Sequence, residues 1–219
     1  MFTGIIETTG TIVALESRGG TTRIAVSAPA FAHRLRVGDS IAVSGTCLTA
    51  LVMEPPLFYA DLAEETLART SLGQLRSGSI VNLELPTPSG APLGGHVVQG
   101  HVDGCGNLVA FEPVHPEADP DATDWWLRVR VPEGIRRYMV EKGSIAVEGI
   151  SLTIASWDGE VVGIAVLPHT RNVTNLRVLS PGAPLNIEAD VMIKLALEQQ
   201  RAKRPSFDLT LEYLIANGY

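Results

Sequence analysis

Two short segments place small hydrogen-bonding side chains at matching positions of a repeated pattern. Residues 40–49 read SIAVSGTCLT, and residues 144–153 read SIAVEGISLT. The groups concerned are Cys47 and Thr49 in the first segment and Ser151 and Thr153 in the second. Side chains two residues apart in a strand point to one face. Each pair would therefore present two polar groups on one surface, where they could position a ligand or supply a nucleophile.

The thiol and the hydroxyl at the matching position have different simplest interpretations. A free cysteine is usually a small buried apolar residue, so Cys47 needs no chemical role. A buried hydroxyl must be hydrogen-bonded, so Ser151 demands a partner.

Further polar residues at or near matching positions could move protons. Glu65 and Thr66 align with His169 and Thr170, Gly100, His101 and Val102 align with Gly4, Ile5 and Ile6, and Lys142 aligns with Gly38. Three histidines fall in turns marked by glycine or proline, where functional residues concentrate, namely His96, His101 and His169. A lone histidine is more often structural than catalytic, but imidazole titrates near neutral pH and suits proton transfer.

The chain lacks the motifs of metal and phosphate sites. The GGH segment at 94–96 does not fit a phosphate-binding loop. His96 and His101 do not have the spacing of two ligands on one helical face, and the two cysteines are too few for a zinc cluster. We expect no metal site.

Charge and hydropathy exclude two classes of partner. The chain has 219 residues and a formal net charge of −7, with no basic cluster, so a nucleic-acid partner is not expected. Its longest apolar run, at 161–168, is too short to span a membrane. The first residues do not resemble a signal peptide. Together with the two cysteines, this predicts a reducing, cytoplasmic location.

The repeated segment belongs to a duplication that organises the chain. Residues 2–15 align with 98–111, and residues 61–84 align with 165–188. The acidic stretch at 115–124 is the insertion that distinguishes the two copies, and we predict that it forms an exposed hairpin loop. Each copy is long enough to hold a small core of its own.

The apolar pattern of both copies is typical of strands. Runs rich in β-branched residues alternate with polar residues and are separated by glycine, proline, serine and aspartate. Each copy therefore reads as a small antiparallel barrel with one short helical stretch, 63–75 in the first copy. The tail adds two predicted helices, 189–204 and 208–216, which either support oligomerisation or pack on the chain's own domain.

The quoted motifs closely resemble those of the riboflavin synthase family over residues 1–195. They are, in order, MFTGII, SGTCLT, DLAEETL, GGHVVQGHVDG, KGSIAVEGISLT, LPHT and LNIEAD. The resemblance implies an all-β fold of two homologous six-stranded antiparallel β-barrels with short helices, followed by a C-terminal α-helix. It divides the chain into an N-terminal lumazine-binding barrel (1–95), a C-terminal lumazine-binding barrel (96–190) and a tail that assembles a homotrimer (191–219).

The resemblance also implies an activity. Two molecules of 6,7-dimethyl-8-ribityllumazine would exchange a four-carbon unit and yield riboflavin and 5-amino-6-(ribitylamino)uracil, without a metal or organic cofactor. The site would form where the N-terminal barrel of one subunit meets the C-terminal barrel of another. Association with lumazine synthase, the preceding enzyme, is left open.

Binding residues follow from the resemblance position by position. One lumazine would lie against Ser151, Leu152, Thr153, Ala165, Val166, Leu167, Pro168, His169 and Thr170, with Gly4, Ile5 and Ile6 facing it. The other would lie against Cys47, Leu48, Thr49, Asp61, Leu62, Ala63, Glu64, Glu65 and Thr66, with Gly100, His101, Val102 and Lys142 nearby.

The implied chemistry assigns roles to five of these residues. His101 would transfer a proton, Ser151 and Cys47 would position or supply nucleophilic groups, and Thr153 and Lys142 would support them. Stacking two bound substrates could contribute about 7–11 kcal/mol through proximity alone. The chain departs from the family pattern at Ser44, where Asn is common, and at Glu148, where Asp is common.

Two other functions fit parts of the pattern. A non-catalytic lumazine- or flavin-binding protein could use the same scaffold, but such relatives lose polar residues that this chain keeps, including His96, His101 and Ser151. A flavin-dependent reductase barrel would need a nicotinamide-binding domain, and the sequence contains no pattern for one.

Overall fold

The computed structural model describes residues 1–203, which contain two seven-stranded antiparallel sheets. The first sheet consists of β1 (Thr8–Arg18), β2 (Thr21–Ser27), β3 (Ser40–Val43), β4 (Thr46–Thr49), β5 (Val52–Glu54), β6 (Leu57–Leu62) and β7 (Ile80–Glu84). The second consists of β8 (Gly104–Pro113), β9 (Trp125–Arg130), β10 (Ser144–Val147), β11 (Ile150–Thr153), β12 (Ser156–Trp157), β13 (Val161–Val166) and β14 (Pro184–Ala189). The α-helices are α1 (Glu64–Arg69), α2 (Pro168–Val173) and α3 (Val191–Lys203).

The two sheets have the same topology. Their strand orders are β4-β3-β7-β1-β2-β6-β5 and β11-β10-β14-β8-β9-β13-β12, which match strand for strand. The duplicated all-β fold predicted from the sequence is therefore confirmed. The boundary between the halves at residue 95 stays a prediction.

The strand count differs from six because one strand of each barrel is bent. Between β4 and β5, the Ala50 N–H donates to the Asp39 carbonyl beside β3, at 2.9 Å, whereas the next N–H, of Leu51, donates to Tyr59 of β6, at 2.8 Å. The two ends of the sheet are thus consecutive parts of one chain segment, and six strands close the barrel. The second sheet bends in the same way between β11 and β12. Closure leaves fewer strand edges open to other chains.

Each barrel encloses its own apolar core. Strand β6 alternates buried and half-buried residues, so Phe58, Ala60 and Leu62 point inward, as the period of a strand requires. The first core also contains Ile24 and Ile41, which are fully buried. The second contains the aligned strand residues Leu127, Ile145 and Ile164. Full burial of each large aliphatic side chain contributes about 1.5–3 kcal/mol.

A third, smaller cluster joins the barrels. It consists of Phe2, Ala42, Val98 and Ala146, with Cys47 packed against it. Phe2 and Val98 form an antiparallel bridge in which each N–H donates to the other's carbonyl, at 2.8 and 3.1 Å. The segments before β1 and β8 therefore meet between the barrels, and each packs against the barrel that its own strand does not join.

Two asparagines hold the barrels together. The side chain of Asn82 in β7 donates to the Glu148 carbonyl at 2.9 Å and accepts from the Asn175 N–H at 2.7 Å. The side chain of Asn186 in β14 donates to the Ser44 carbonyl at 2.9 Å and accepts from the Ser71 N–H at 2.7 Å. Each asparagine belongs to one barrel and satisfies backbone groups of the other, so the two halves lock reciprocally.

The connections agree with the predictions in most places. Residues 114–124 form the predicted exposed hairpin loop between β8 and β9. Within the helical stretch predicted at 63–75, α1 ends at Arg69 and a 3-10 helix follows over Ser71–Gln74. It breaks because the Thr70 hydroxyl donates back to the Thr66 carbonyl, at 2.6 Å, and accepts from the Leu72 N–H. Helix α3 matches the prediction at 189–204, whereas the predicted helix at 208–216 lies outside the described residues.

Candidate functional site

Ser151 lies against a segment that comes from the other end of the chain. Its N–H donates to the Gly4 carbonyl at 2.8 Å, and Gly4 has a positive φ of 73°. A Cβ atom on Gly4 would lie 2.7 Å from the Ser151 Cβ. Only glycine fits this close approach. Ile6, which follows, packs against the core of the second barrel.

Cys47 has the same arrangement in the first barrel. Its N–H donates to the Gly100 carbonyl at 2.9 Å, Gly100 has a φ of 80°, and a Cβ atom there would lie 2.6 Å from the Cys47 Cβ. The structure thus brings Gly4 to Ser151 and Gly100 to Cys47, as the sequence interpretation requires. We call residues 47–49, 61–66 and 100–102 the N-terminal site, and residues 151–153, 165–170 and 4–6 the C-terminal site.

Two buried carboxylates fix the crossing segments. Glu84 accepts the N–H groups of Thr3 and Gly4, at 2.7 and 3.0 Å. Glu188 accepts the N–H groups of Gln99, Gly100 and His101, at 2.7, 3.0 and 3.0 Å. Burial raises the pKa of both carboxyls, and these hydrogen bonds oppose the shift. Each carboxylate therefore anchors one of these crossing segments. We call such a segment a strip, and each strip lines one site.

The other wall of each site is a strand that leads into a short helix. In the N-terminal site β6 leads into α1, and in the C-terminal site β13 leads into α2; β4 packs against β6, and β11 against β13. Leu62 and Val166 point into the cores, so they can offer a ligand only backbone groups. The exposed residues of this wall are Ala63, Glu64 and Glu65 in the N-terminal site and Ala165, Leu167 and His169 in the C-terminal site.

The strand walls differ in charge. In the N-terminal site, Asp61 accepts two hydrogen bonds from the neighbouring Arg23, at 2.6 and 2.9 Å. The C-terminal site pairs Trp126 with Ala165 at the matching register position. An ion pair in one wall is therefore replaced by an indole beside a methyl group in the other.

The two polar pairs singled out in the sequence, Cys47 with Thr49 and Ser151 with Thr153, face outward from the barrels. Cys47 is half-buried while Leu48 is in the core, and Thr49 is exposed. Ser151 is half-buried and Thr153 exposed. His101 is exposed as well, with its backbone held by Glu188. These side chains are open to a ligand or to a second copy of the chain.

Lys142 is placed differently from the other candidates. It precedes β10, and its N–H donates to the Ile154 carbonyl at 2.8 Å, so it belongs to the second barrel. Among the hydrogen bonds and ion pairs of residues 1–203, none joins Lys142 to the N-terminal site. The placement of Lys142 near the N-terminal site therefore stays a prediction.

The structure adds one side chain that the site prediction omitted. The Nδ1 atom of His96 lies 2.7 Å from the Ser151 Oγ. Burial lowers the pKa of His96, with Asp190 opposing the shift, and this favours the neutral imidazole. The repeat could not reveal this contact, because the aligned segments begin at residues 2 and 98, after His96.

The anchoring groups could have been found from the sequence. Asn82, Glu84, Asn186 and Glu188 recur at matching positions, and all four are buried. A polar residue kept in both copies on an otherwise apolar strand indicates a buried partner. The repeat therefore carries a signal for these anchors as well as for the duplication itself.

Other features of the surface define what surrounds the sites. A cleft of about 950 Å³ adjoins the C-terminal site and includes Ile5 and Gly94, together with Arg34 and Arg36. No cluster of metal-binding side chains occurs in the described residues. None of the helices within residues 1–203 has the length and apolarity to cross a membrane.

Comparison with protein families identifies two copies of one domain. The family described as "Lumazine binding domain" matches residues 3–86 and 99–190. Curated relatives named riboflavin synthase match 89% to 100% of the chain. The one from Actinobacillus pleuropneumoniae is 37% identical over 222 residues, covering 100% of both chains. The one from Mycobacterium bovis is 41% identical over 200 residues, covering 89% of this chain and 95% of the relative.

Solved structures with the same fold include a ligand-binding protein, LumP. LumP complexed with 6,7-dimethyl-8-(1'-D-ribityl) lumazine superposes with a TM-score of 0.75 and 21% identity, covering 86% of this chain and 99% of LumP. LumP complexed with riboflavin gives a TM-score of 0.78 and 22% identity, with the same coverage. At this identity the likeness shows the shared fold.

Proposed function

The chain belongs to the riboflavin synthase family, and we propose that it joins two molecules of 6,7-dimethyl-8-ribityllumazine across its two kinds of site. One substrate gives up a four-carbon unit to the other, so the products are riboflavin and 5-amino-6-(ribitylamino)uracil. The observation that carries the proposal is the pair of matching sites, built around Cys47 and Ser151, in a chain that aligns end to end with riboflavin synthases.

The arrangement suits a reaction of two identical substrates. Each site offers a strip of backbone held rigidly by a buried carboxylate, opposite a strand that ends in a short helix. Main-chain groups of the strips would bind the edge of the heterocycle, and threonine and acidic side chains would hold the ribityl hydroxyls. The atoms of two substrates equal those of the two products, so no external oxidant or reductant is required.

Proton transfer is the chemical step that a side chain must serve. The 7-methyl group of the lumazine is acidic because its carbanion delocalises into the ring, so a neutral base suffices. We assign this transfer to His101, whose backbone is fixed by Glu188 and whose imidazole is exposed beside Gly100. Cys47 and Ser151 position the two heterocycles, with Thr153 in support.

The direct test is turnover without additives. The purified chain, supplied only with 6,7-dimethyl-8-ribityllumazine, should produce riboflavin fluorescence. Tight binding without product would instead favour the second candidate, a lumazine-binding protein. The shared fold with LumP is the reason to distinguish this candidate from the enzyme. His101→Ala should lower turnover more than it weakens substrate binding, and wild-type turnover in this variant would remove the assignment.

The complete active site would combine the N-terminal site of one subunit with the C-terminal site of another, in a homotrimer. Both sites are open at exposed residues, including Thr49 and Thr153, and α3 exposes Met192 and Leu195, at 62% and 51%. These apolar side chains support a role for the tail, and deletion of the tail, residues 191–219, should reduce the mass seen in light scattering.

Complementation tests whether the site is shared between subunits. His101→Ala damages only the N-terminal site, and Ser151→Ala damages only the C-terminal site. Co-expressed in one cell, the two variants form mixed oligomers in which one intact site of each kind can meet, and activity should reappear. Activity no higher than the mean of the two separate variants would place both sites within one chain.

Location and further partners complete the proposal. Cys47 and Cys105 are both free thiols, which supports the cytoplasmic location expected from the sequence. No contact within residues 1–203 supports an association with lumazine synthase, and we do not propose one.

A further inference from the structure

A lysine of helix α3 holds the end of the strip that lines the N-terminal site. Asp103 lies between this strip and β8; its N–H donates to the Ile187 carbonyl at 2.8 Å, and its carboxylate accepts the Ala189 N–H, also at 2.8 Å. The Lys194 Nζ lies 2.8 and 2.6 Å from the two carboxylate oxygens of Asp103. Only 21% and 22% of the two side chains are exposed, so water screens this ion pair less than one on the surface.

The strip of the C-terminal site ends in the same way but is held by a different element. Glu7 aligns with Asp103; its N–H donates to the Leu83 carbonyl at 3.1 Å, and its carboxylate accepts the Leu85 N–H at 3.0 Å. The cation here is Arg34, whose Nη1 lies 2.7 Å from the Glu7 Oε2 and whose side chain is 56% exposed. Both strips therefore end in a carboxylate, but one is paired with an exposed arginine of the first barrel and the other with a lysine of α3.

Helix α3 is seated on the second barrel at the turn that carries this lysine. Asp190 caps the helix, since its carboxylate accepts the Met192 N–H at 2.9 Å. Ile193 packs against the core of the second barrel, whereas Met192 and Leu195 are exposed. A shift of α3 on the barrel would therefore move the cation that pairs with the strip.

The charge of Lys194 also supports the second carboxylate of the same strip. Glu188 accepts the N–H groups of residues 99–101. Burial raises the pKa of Glu188, opposed by the hydrogen bond from the Gln99 N–H and by the charge of Lys194. Lys194 therefore favours the ionised carboxylate, which is the form that holds these N–H groups most strongly.

We propose that Lys194 is a positioning residue that fixes the strip of the N-terminal site, so that the seating of α3 sets the place of His101. This role rests on the proposed function, in which His101 transfers a proton and the strip binds the edge of a heterocycle. Small displacements of a catalytic group cost much of the rate. Because Arg34 of the first barrel holds the other strip, movement of α3 should affect the two sites unequally.

Turnover of three variants tests the role. Lys194→Met removes the charge but keeps an unbranched side chain, and it should lower kcat/KM for riboflavin formation about fivefold. Lys194→Arg keeps a cation that can bind both carboxylate oxygens, and it should recover most of the loss. Asp103→Asn keeps an acceptor for the Ala189 N–H. In that background Lys194→Met should cause less than a twofold further loss, because the lysine acts mainly through this carboxylate.

Hydrogen exchange measures the strip itself and needs no turnover. In the full chain, Lys194→Met should speed exchange of the backbone N–H groups at 99–101 about tenfold and leave those at 3–4 unchanged, because only the first strip loses its cation. Arg34→Met is the matched control, since it removes the cation of the other strip. Exchange at 99–101 should be unchanged in this control.

Three results would overturn the role. The first is an equal loss of kcat/KM in Lys194→Met and Lys194→Arg, and the second is a full further loss when Lys194→Met is added to Asp103→Asn. The third is exchange at 99–101 that is unchanged in Lys194→Met, or that speeds up equally at 3–4, which would indicate a global loss of stability. If the wild-type chain makes no riboflavin, the proposed function fails instead, and the exchange measurement still decides whether Lys194 holds the strip.

Discussion

The two barrels are nearly identical where they touch each other and different where they face a ligand. At the junction Gly45 opposes Gly149, and Asn82 and Asn186 cross-link the halves in the same way. In the sites a thiol replaces a hydroxyl, and an ion pair replaces an indole and a methyl group. The scaffold has thus kept its symmetry while the sites have diverged, as a reaction with one donor and one acceptor requires.

The junction explains why the repeated segments differ before their glycines. Ser44 and Glu148 both have positive φ, 43° and 52°, and each precedes a glycine with positive φ in a two-residue hairpin turn. Such turns favour Asn-Gly, so neither residue is chosen for the turn. Ser44 accepts the Asn82 N–H through its hydroxyl, and Glu148 accepts the Asn186 N–H through its carboxylate. Each bond lies within one barrel and fixes the backbone of the asparagine whose side chain reaches the other barrel.

The largest effect should follow from breaking the symmetric contact of the turn glycines. A Cβ atom on Gly45 would lie 2.7 Å from the Gly149 backbone nitrogen, and the reverse distance is also 2.7 Å. Gly45→Ala and Gly149→Ala should each lower the free energy of unfolding by about 3 kcal/mol, from positive-φ strain and overpacking. Chemical denaturation measures both. Unequal losses of unfolding free energy in the two variants would show that the junction is less symmetric in energy than in backbone geometry.

Matched controls separate strain from the contact between barrels. Gly78 and Gly182 occupy equivalent turns with φ of 90° and 89°, and a Cβ atom on either would meet open space. Gly78→Ala and Gly182→Ala should therefore cost about 1 kcal/mol, from strain alone. Losses as large as those at the junction would remove the role of the interbarrel contact.

A smaller loss should follow when one asparagine lock is opened. Asn82→Ala leaves the Glu148 carbonyl and the Asn175 N–H without their partner, and Asn186→Ala does the same to the Ser44 carbonyl and the Ser71 N–H. Each should lower the free energy of unfolding by about 2 kcal/mol, since unsatisfied buried groups are costly. Denaturation curves with a single shared transition are expected in both variants. A loss below about 0.5 kcal/mol would mean that water replaces the side chain.

The sequence predicted the duplicated barrels, which follow from the aligned segments. The facing of Gly4 and Ser151, and of Gly100 and Cys47, was expected only from the resemblance to the family, and the recurring asparagines and glutamates were not predicted as anchors. His96 has no aligned partner, and its contact depends on how the chain crosses between barrels. The bend that splits β4 from β5 depends on hydrogen-bond partners on two sides, which no local pattern encodes. Within the described residues, the backbone N–H of Lys142 joins it to the second barrel, and no repeat pattern indicates a further role for its side chain.

The site itself gives the next comparison, measured as turnover. Ser151→Ala should lower riboflavin formation at least tenfold, because it removes a hydroxyl and leaves the His96 Nδ1 unpaired. Cys47→Ala should lower it only a few-fold, because the backbone contact of Cys47 with Gly100 survives. Steady-state fluorescence assays at saturating substrate compare the two. Equal losses would mean that the two sites are chemically equivalent despite their different residues.

The smallest effect concerns the one polar exchange at the junction and is read as a pH dependence. Burial raises the pKa of Glu148 above its ordinary value, opposed by hydrogen bonds from Asn186, Ser44 and Asn175. The folded protein therefore holds this proton more tightly than the unfolded chain does. The stability that Glu148 contributes is complete below its unfolded pKa and declines as the pH rises through the folded pKa.

Glu148→Gln isolates that contribution because glutamine cannot titrate. The unfolding free energy of the variant, relative to wild type, should increase steadily as the pH is raised from 4 to 8 in denaturation experiments. Glu84 and Glu188 also have raised pKa values, but they are present in both proteins, so their contributions cancel in the difference. A difference that stays constant with pH would mean that Glu148 keeps its ordinary pKa. The glutamate would then differ from Ser44 in its hydrogen bonds alone, and charge would play no part in how the second barrel holds the first.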